Sequence, residues 1–282
     1  MTKVFGSHLL GRNVSPPDER DYKLANFLGL GVDRASSLSD PTDLINLGIA
    51  ELKLTSVTFA RWAATSYPDV TKTHWWKALN YFAQAKASLN PVPAPPSTTL
   101  TEWVDPEEIL DQADTNHCVG FSAAQWGNTL PINDKFTDQD GHDIYYECKV
   151  IDGEPGQENG TDLRSQAKAL KNRRRLGIYA FAASVDEVVA WIQQKGPVVM
   201  GTDWLENMFD PNAKGFVDVR GAVAGGHAYV ANGYDSADDS LLFINSWSAG
   251  WGDNGHFKMY KADMEKLFVD YGEALIAVEL AI

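Results

Sequence analysis

The chain has 282 residues, 44% of them hydrophobic, with nine tryptophans and a formal net charge of −14. That much apolar material supports a packed core and excludes a disordered chain, and the length allows one large domain or a domain with an appendage. The acidic balance argues against a nucleic-acid partner, because phosphates reward clustered Lys and Arg. No apolar stretch approaches the thickness of a bilayer, so no membrane partner is expected.

In chain order, residues 1 to about 40 are polar and turn-rich. Pro16 and Pro17 block helix, so Gly11 to Asp21 reads as an extended, surface-hugging arm, followed by a short element over Tyr22–Leu30. Met1 to Asn13 lacks the apolar run of a secretory signal. Asp40-Pro41 is a helix start, a cap followed by a first-turn proline. Leu44, Leu47, Leu52, Leu54, Phe59 and Trp62 recur at roughly helical spacing. A second helix over His74–Ala85 carries Trp75, Trp76, Tyr81 and Phe82 on a broad aromatic face, either docked as core or offered to a partner. Asn90 to Ser97, with four prolines, is a stiff linker and the best boundary in the chain. Residues 1–97 are therefore expected to form an N-terminal arm and helical appendage, and 98–282 a separate domain.

Beyond the linker, Trp103 to Leu110 leads to the segment Gln112-Ala113-Asp114-Thr115-Asn116-His117-Cys118-Val119-Gly120-Phe121-Ser122-Ala123. Turn-forming residues precede Cys118 and small or apolar residues follow, which predicts a helix opening at the cysteine. The positive end of a helix dipole favours thiolate over thiol. The Gln112 amide, six residues upstream, is placed to fold back beside the sulfur. With the Cys118 N–H it would form an oxyanion site. A small buried apolar cysteine is the plain alternative. Cys148 reads as a half-buried structural residue.

Asp138 to Asp143 is expected as an acidic loop, and Ile144–Ile151 as the end of a helix or a short strand. Gly153–Gly160 is an acidic, glycine-bearing loop, and Thr161-Asp162-Leu163-Arg164 opens the next helix, which the basic run Lys171 to Arg175 closes. Ser184-Val185-Asp186-Glu187 is a capping box for a helix carrying Trp191. A strand-rich half begins at Pro197–Gly201. Gly225-Gly226-His227-Ala228-Tyr229 to Tyr234 reads as a strand with His227 at its mouth. Leu241 to Ile244 is another strand, ending in Asn245-Ser246-Trp247. Ser248 to Phe257 is a glycine-rich turn into a further strand. A thiolate needs a base and the base an orienting partner, and Cys118, His227 and Asn245 supply that trio. His8, His74, His142 and His256 lack supporting motifs, and His117 is adjacent to the cysteine but not on its face.

With Gln112 six residues before Cys118, Phe121-Ser122-Ala123 after it, His227-Ala228 leading to Gly233-Tyr234, and Asn245-Ser246-Trp247 followed by Gly250-Trp251-Gly252, the chain resembles the papain-like (C1-type) cysteine peptidases. The resemblance covers about residues 100 to 282. Thr115-Asn116-His117, Val119 and Gly226 depart from the residues the family commonly has at those places. It implies an α+β, two-lobed fold with a helical lobe carrying the nucleophile and a β-rich lobe carrying the base. It also implies peptide-bond hydrolysis of a peptide or protein substrate. Cys118 would be the nucleophile, His227 the base, Asn245 its orienting partner and Gln112 the oxyanion donor. Trp247 and Trp251 would shield the His–Asn bond from water. Gly160, and with it Gly226, would contact substrate.

No cofactor and no metal are expected, since no paired Cys or His spacing of the zinc type occurs. Secreted relatives usually carry disulfides, so the unpaired cysteines suggest either a reducing compartment or an unstapled bacterial or phage-like branch, cytoplasmic or virion-associated. The alternatives are a peptidoglycan-directed Cys-His amidase or endopeptidase, and a catalytically weak module serving structure or virion assembly. The appendage is the expected site of any protein partner.

Overall fold

The structure is a computed structural model and describes residues 9–16, 22–23, 99–105 and 107–279. The helices expected between Asp40 and Asn90, the linker to Ser97, His8 and His74 lie outside those residues. In chain order the elements are β1 (Arg12–Asn13), β2 (Tyr22–Lys23), β3 (Leu100–Glu102), α1 (Cys118–Asn128), α2 (Asp138–Ile151), β4 (Thr161–Asp162) and α3 (Leu163–Asn172). They continue with β5 (Leu176–Phe181), α4 (Val185–Ile192), β6 (Val198–Leu205), β7 (Val223–Asp235), β8 (Ser240–Ile244), β9 (His256–Tyr260), α5 (Lys261–Tyr271) and β10 (Glu273–Glu279). The fold class is α+β.

The large sheet runs β2-β5-β10-β6-β7-β8-β9, with β3 also paired to β7. Every pairing from β5 to β9 is antiparallel; β2 joins β5 in parallel. The sheet is buried on both faces, and the two-residue period of a strand decides which side chain goes where. On β7, Ala228 and Val230 join a core with Cys118, Phe121, Trp126 and Leu170 from α1 and α3. Tyr229 and Ala231 turn the other way, into a core with Trp191, Ile192, Met264 and Leu267 from α4 and α5. One strand therefore holds the two halves together, and His227 sits near its start.

Local signals explain most boundaries. Thr137 and Asp140 form a reciprocal capping box, so α2 begins at Asp138 and the expected acidic loop is instead its first turn. The whole of Ile144–Ile151 is helix, and Cys148 is fully buried rather than half-buried. Asp162 caps α3 through Ser165 N–H at 2.9 Å, so Thr161 and Asp162 form a short strand just ahead of that helix. Ser184 accepts from Glu187 N–H at 3.2 Å, while Glu187 reaches Ala183 N–H rather than its cap residue. Gly120 allows α1 to lie on α2, because a Cβ there would stand 2.2 Å from Gly141 O.

The N-terminal arm departs from expectation most. Gly11, Arg12 and Ser15 are buried, and Arg12–Asn13 pairs in parallel with Thr161–Asp162. Over the described residues the arm is extended as expected, but Gly11, Arg12 and Ser15 are buried rather than surface-hugging, because the backbone finds a strand edge and the arginine finds a carboxylate.

Candidate active site

Cys118 is the first residue of α1, and its sulfur is fully buried. Backbone N–H groups of Gly11, Ala228 and Val119 point at it. Burial nevertheless dominates and pushes the thiol up to about 11, with those N–H groups and the Arg12 charge pulling weakly the other way.

His227, the neighbour of Ala228, is fully buried. Continuing the register of Val230 opposite Ile244 puts Asn245 diagonally across from His227. The imidazole Nε2 meets Asn245 Oδ1 at 2.8 Å, and Ser246 N–H donates to the same oxygen at 2.9 Å. The Ser246 N–H marks Oδ1 as the amide atom on this side, and an amide oxygen only accepts, so the bond to the imidazole calls for the proton on Nε2. Trp247 lies over the ring, with centroids 4.7 Å apart and 23° between planes, and Trp251 stands edge-on to Trp247 at 5.0 Å. Trp204 closes another side of His227 at 5.0 Å. The rings thus pack around the imidazole and offer the His–Asn bond no competing acceptor.

Gln112 is positioned from the same strand end. Its N–H donates to Ser246 O at 2.9 Å, and Asp111 bridges Trp247. Ser246 Oγ donates to Gln112 Oε1 at 2.8 Å, which turns the amide nitrogen toward Thr115 O at 2.8 Å and Leu9 O at 3.1 Å. Ser246 therefore orients both amides.

The partner of Gln112 on its open side is the chain's own N-terminal strap. Leu9 O lies on the Gln112 amide, Gly11 N–H faces the sulfur, and Gly11 O accepts from Thr161 N–H at 2.9 Å. Gly160 and Gly226 border the strap closely. A Cβ on Gly160 would stand 2.1 Å from Gly11 O, and one on Gly226 2.1 Å from Arg12 O. Gly160 also has φ +80, where a side chain is strained. Both glycines therefore lie where an extended peptide backbone passes over Cys118.

Several site residues carried no motif. Lys149, fully buried, ties the wall loop together through Glu154 at 2.8 Å, Asn159 Oδ1 at 2.9 Å and Gly160 O at 3.0 Å. His117 stacks on Tyr145 and bonds Glu158 at 2.6 Å and His142 at 2.7 Å, Nδ1 to Nδ1. Its burial pulls it below the usual histidine range, against Glu158. His256 bonds Asn254 O in the glycine-rich turn. Arg12 and Glu273 form an ion pair; an arginine in a polar arm and an acid opening an apolar strand, far apart in the chain, give no local sign of each other. Among the described residues no group of three or more His, Cys, Asp or Glu is arranged to hold a metal ion, and no helix is long and apolar enough to cross a membrane.

Residues 133–272 match the model of the papain family cysteine proteases, a span that includes His227 and Asn245 and begins after Cys118. Cathepsin B-like protease 1 of Arabidopsis thaliana is 27% identical over 121 residues, 42% of this chain and 32% of its own length. Cathepsin B-like cysteine proteinase 4 of Caenorhabditis elegans is 30% identical over 89 residues, 31% of this chain and 27% of its own. The chain thus spans about a third of the length of these curated relatives. The crystal structure of xylellain, a cysteine protease from Xylella fastidiosa, shares the fold with a TM-score of 0.52 and 15% identity, over 65% of this chain and 89% of that one. By that match and that fold, the chain carries a papain-family cysteine protease domain.

Proposed function

We propose that the chain is a cysteine peptidase in which Cys118 attacks a peptide carbonyl, His227 moves the proton, Asn245 holds the imidazole, and Gln112 with the Cys118 N–H receives the developing oxyanion. The observation that carries this reading is the imidazole clamped through Nε2 by Asn245, one residue before the N–H that faces the Cys118 sulfur. With Nε2 protonated, Nδ1 is the nitrogen assigned to the thiol proton. Transfer yields a thiolate at a helix N-terminus beside an imidazolium, the charge arrangement that activates cysteine. Attack makes a tetrahedral oxyanion. His227 then gives its proton to the leaving amine, and water, deprotonated by His227, resolves the thioester.

The peptide class is favoured over a cell-wall amide by what already lies in the cleft. An extended backbone crosses the sulfur, its Leu9 carbonyl on the assigned oxyanion donor and its Gly11 carbonyl on the edge of β4. We read this strap as holding the resting chain closed, with residues 98–282 as the peptidase domain and the N-terminal part as its regulator. Gly160 and Gly226 serve as the substrate-contact glycines.

A thiol-reactive peptidyl electrophile tests the assignment. It is expected to modify Cys118 and to depend on His227, and Cys118→Ala is expected to abolish peptide turnover with the fold retained. Full activity in Cys118→Ala, or labelling that ignores His227→Ala, sinks the reading.

A further inference from the structure

We propose that His117 and His142 form a proton-operated clasp on the rim of the cleft. It grips peptide while one proton lies between the two rings and lets go when each ring carries its own. His117 is thus a positioning residue for the proposed peptidase reaction, and the inference rests on that reading.

The geometry dictates where the protons sit. The two Nδ1 atoms are 2.7 Å apart, a separation that accommodates one N–H and one lone pair. The far nitrogen of His117, Nε2, meets the Glu158 carboxylate at 2.6 Å and carries a proton toward it. A first added proton keeps both bonds, because one ring can donate at both nitrogens while the other still accepts. A second sets two N–H groups head to head on two cations, and the bond between the rings is lost.

The surroundings favour this order. From α2, Tyr145 stacks on His117 with ring centroids 3.7 Å apart, and Tyr146 stands edge-on at 5.2 Å with its hydroxyl on Glu158 Oε1. From α1, Phe121 covers His142 edge-on at 4.9 Å, and Cys118 follows His117 in the chain. Among the described residues, Glu158 of the wall loop is the acid bonded to the pair. Burial holds His117 below the ordinary histidine range, with Glu158 opposing and the neighbouring His142 reinforcing. A histidine depressed in the folded state stabilises above its ordinary range and stops doing so on acidification, the direction the clasp requires.

The clasp reaches the peptide through Tyr145 and Glu158. Tyr145 Oη accepts from Gly160 N–H at 3.2 Å and donates to Gln157 O at 3.0 Å, so the ring stacked on His117 pins both ends of the rim. Glu158 lies between them, and its carbonyl receives the Asn116 side chain two residues ahead of the nucleophile. The next amide along, Thr161 N–H, donates to the Gly11 carbonyl of the strap at 2.9 Å.

The test compares the full chain with its His142→Asn variant. The asparagine nitrogen stands where Nδ1 stood and donates to His117, and the amide can turn its oxygen inward once His117 is charged. In the first arm, NMR follows hydrogen exchange at the Gly160 amide from about pH 8 to about pH 5. Protection is expected to fall about tenfold on acidification, the loss of one bond to a charged group, and to hold in His142→Asn. In the second arm, both chains carry Arg12→Ala to loosen the strap and are assayed on quenched-fluorescent gelatin. KM is expected to rise about tenfold over the same range only where His142 is present, while kcat changes alike in both. Tyr145→Phe, which keeps the stack and drops the hydroxyl, is expected to show the high KM at every pH. Protection and KM profiles that His142→Asn leaves unchanged overturn the proposal, and so does a pH-dependent difference confined to kcat. A clasp that opens by exchange, with no gelatin cleaved at any pH, leaves the pair standing and sinks the peptidase reading instead.

Discussion

Arg12→Ala perturbs the strap where its grip is strongest. The wild-type side chain makes two buried charge-assisted bonds, at 2.5 Å to Glu273 and 2.6 Å to Tyr271 O. Each is worth about 2 kcal/mol net, since bonds to charged groups exceed neutral ones. Ordering the arginine side chain costs up to about 2 kcal/mol. The balance, about 2 kcal/mol, corresponds to roughly a 30-fold change in the ratio of closed to open strap. Opening removes the Gly11 backbone from the Cys118 sulfur, so alkylation of that thiol reports the open fraction directly. The assay is the rate of carboxymethylation by iodoacetamide at pH 7, followed by intact mass. Cys118 in Arg12→Ala is expected to react about 30-fold faster than in wild type, and Arg12→Lys to fall between. Cys148, fully buried, should stay unlabelled in all three and so distinguishes strap release from unfolding. Equal Cys118 rates in wild type and Arg12→Ala would refute the claim that this ion pair holds the cleft shut.

Four further outcomes are expected. Burial raises the Cys118 thiol from 9.0 to about 11, so the folded chain keeps a proton that the unfolded chain has lost. That stability is complete below pH 9 and is lost as pH rises through 11, a swing of about 3 kcal/mol that Cys118→Ala should remove from urea titrations across this window. The His117 imidazole is lowered by burial, so its contribution is present above the ordinary histidine range and lost on acidification through the depressed value. Hydrogen exchange of 153–160 should accelerate there, and Glu158→Gln should loosen the same loop at neutral pH. Gln112→Ala should lower kcat by about 100-fold while leaving KM nearly unchanged, the mark of a lost oxyanion donor; an unchanged kcat removes Gln112 from that role. Gly160→Ala, with φ +80 and a Cβ 2.1 Å from Gly11 O, should expel peptide from β4 and weaken binding of the Leu9–Ser15 peptide, measured by fluorescence anisotropy.

The helix at Cys118 and the strand at His227 were legible because each announces itself locally. Turn residues give way to a proline-free apolar run at the first, and paired glycines precede alternating side chains at the second. Asn245 was legible as the polar end of an apolar strand, and register then sets it diagonal to the histidine. The reading failed where a local pattern had two outcomes. Asp138 to Asp143 looks like a solvated loop until Thr137 supplies the cap that makes its acids a first helical turn. The arm from Gly11 reads correctly as extended, yet its place in the cleft depends on Glu273 and Thr161, more than 140 residues away. Arg12, Glu273 and Lys149 matter through partners that no local periodicity encodes.

The knot at Lys149 bears on how the cleft behaves once emptied. A single ammonium, fully buried, gathers Asp152, Glu154, Asn159 and the Gly160 carbonyl. None of these belongs to the strap, so the wall keeps its shape when the occupant departs. On the peptidase reading proposed above, an incoming peptide spends entropy on its own ordering and none on assembling the rim, as for a preorganised receptor.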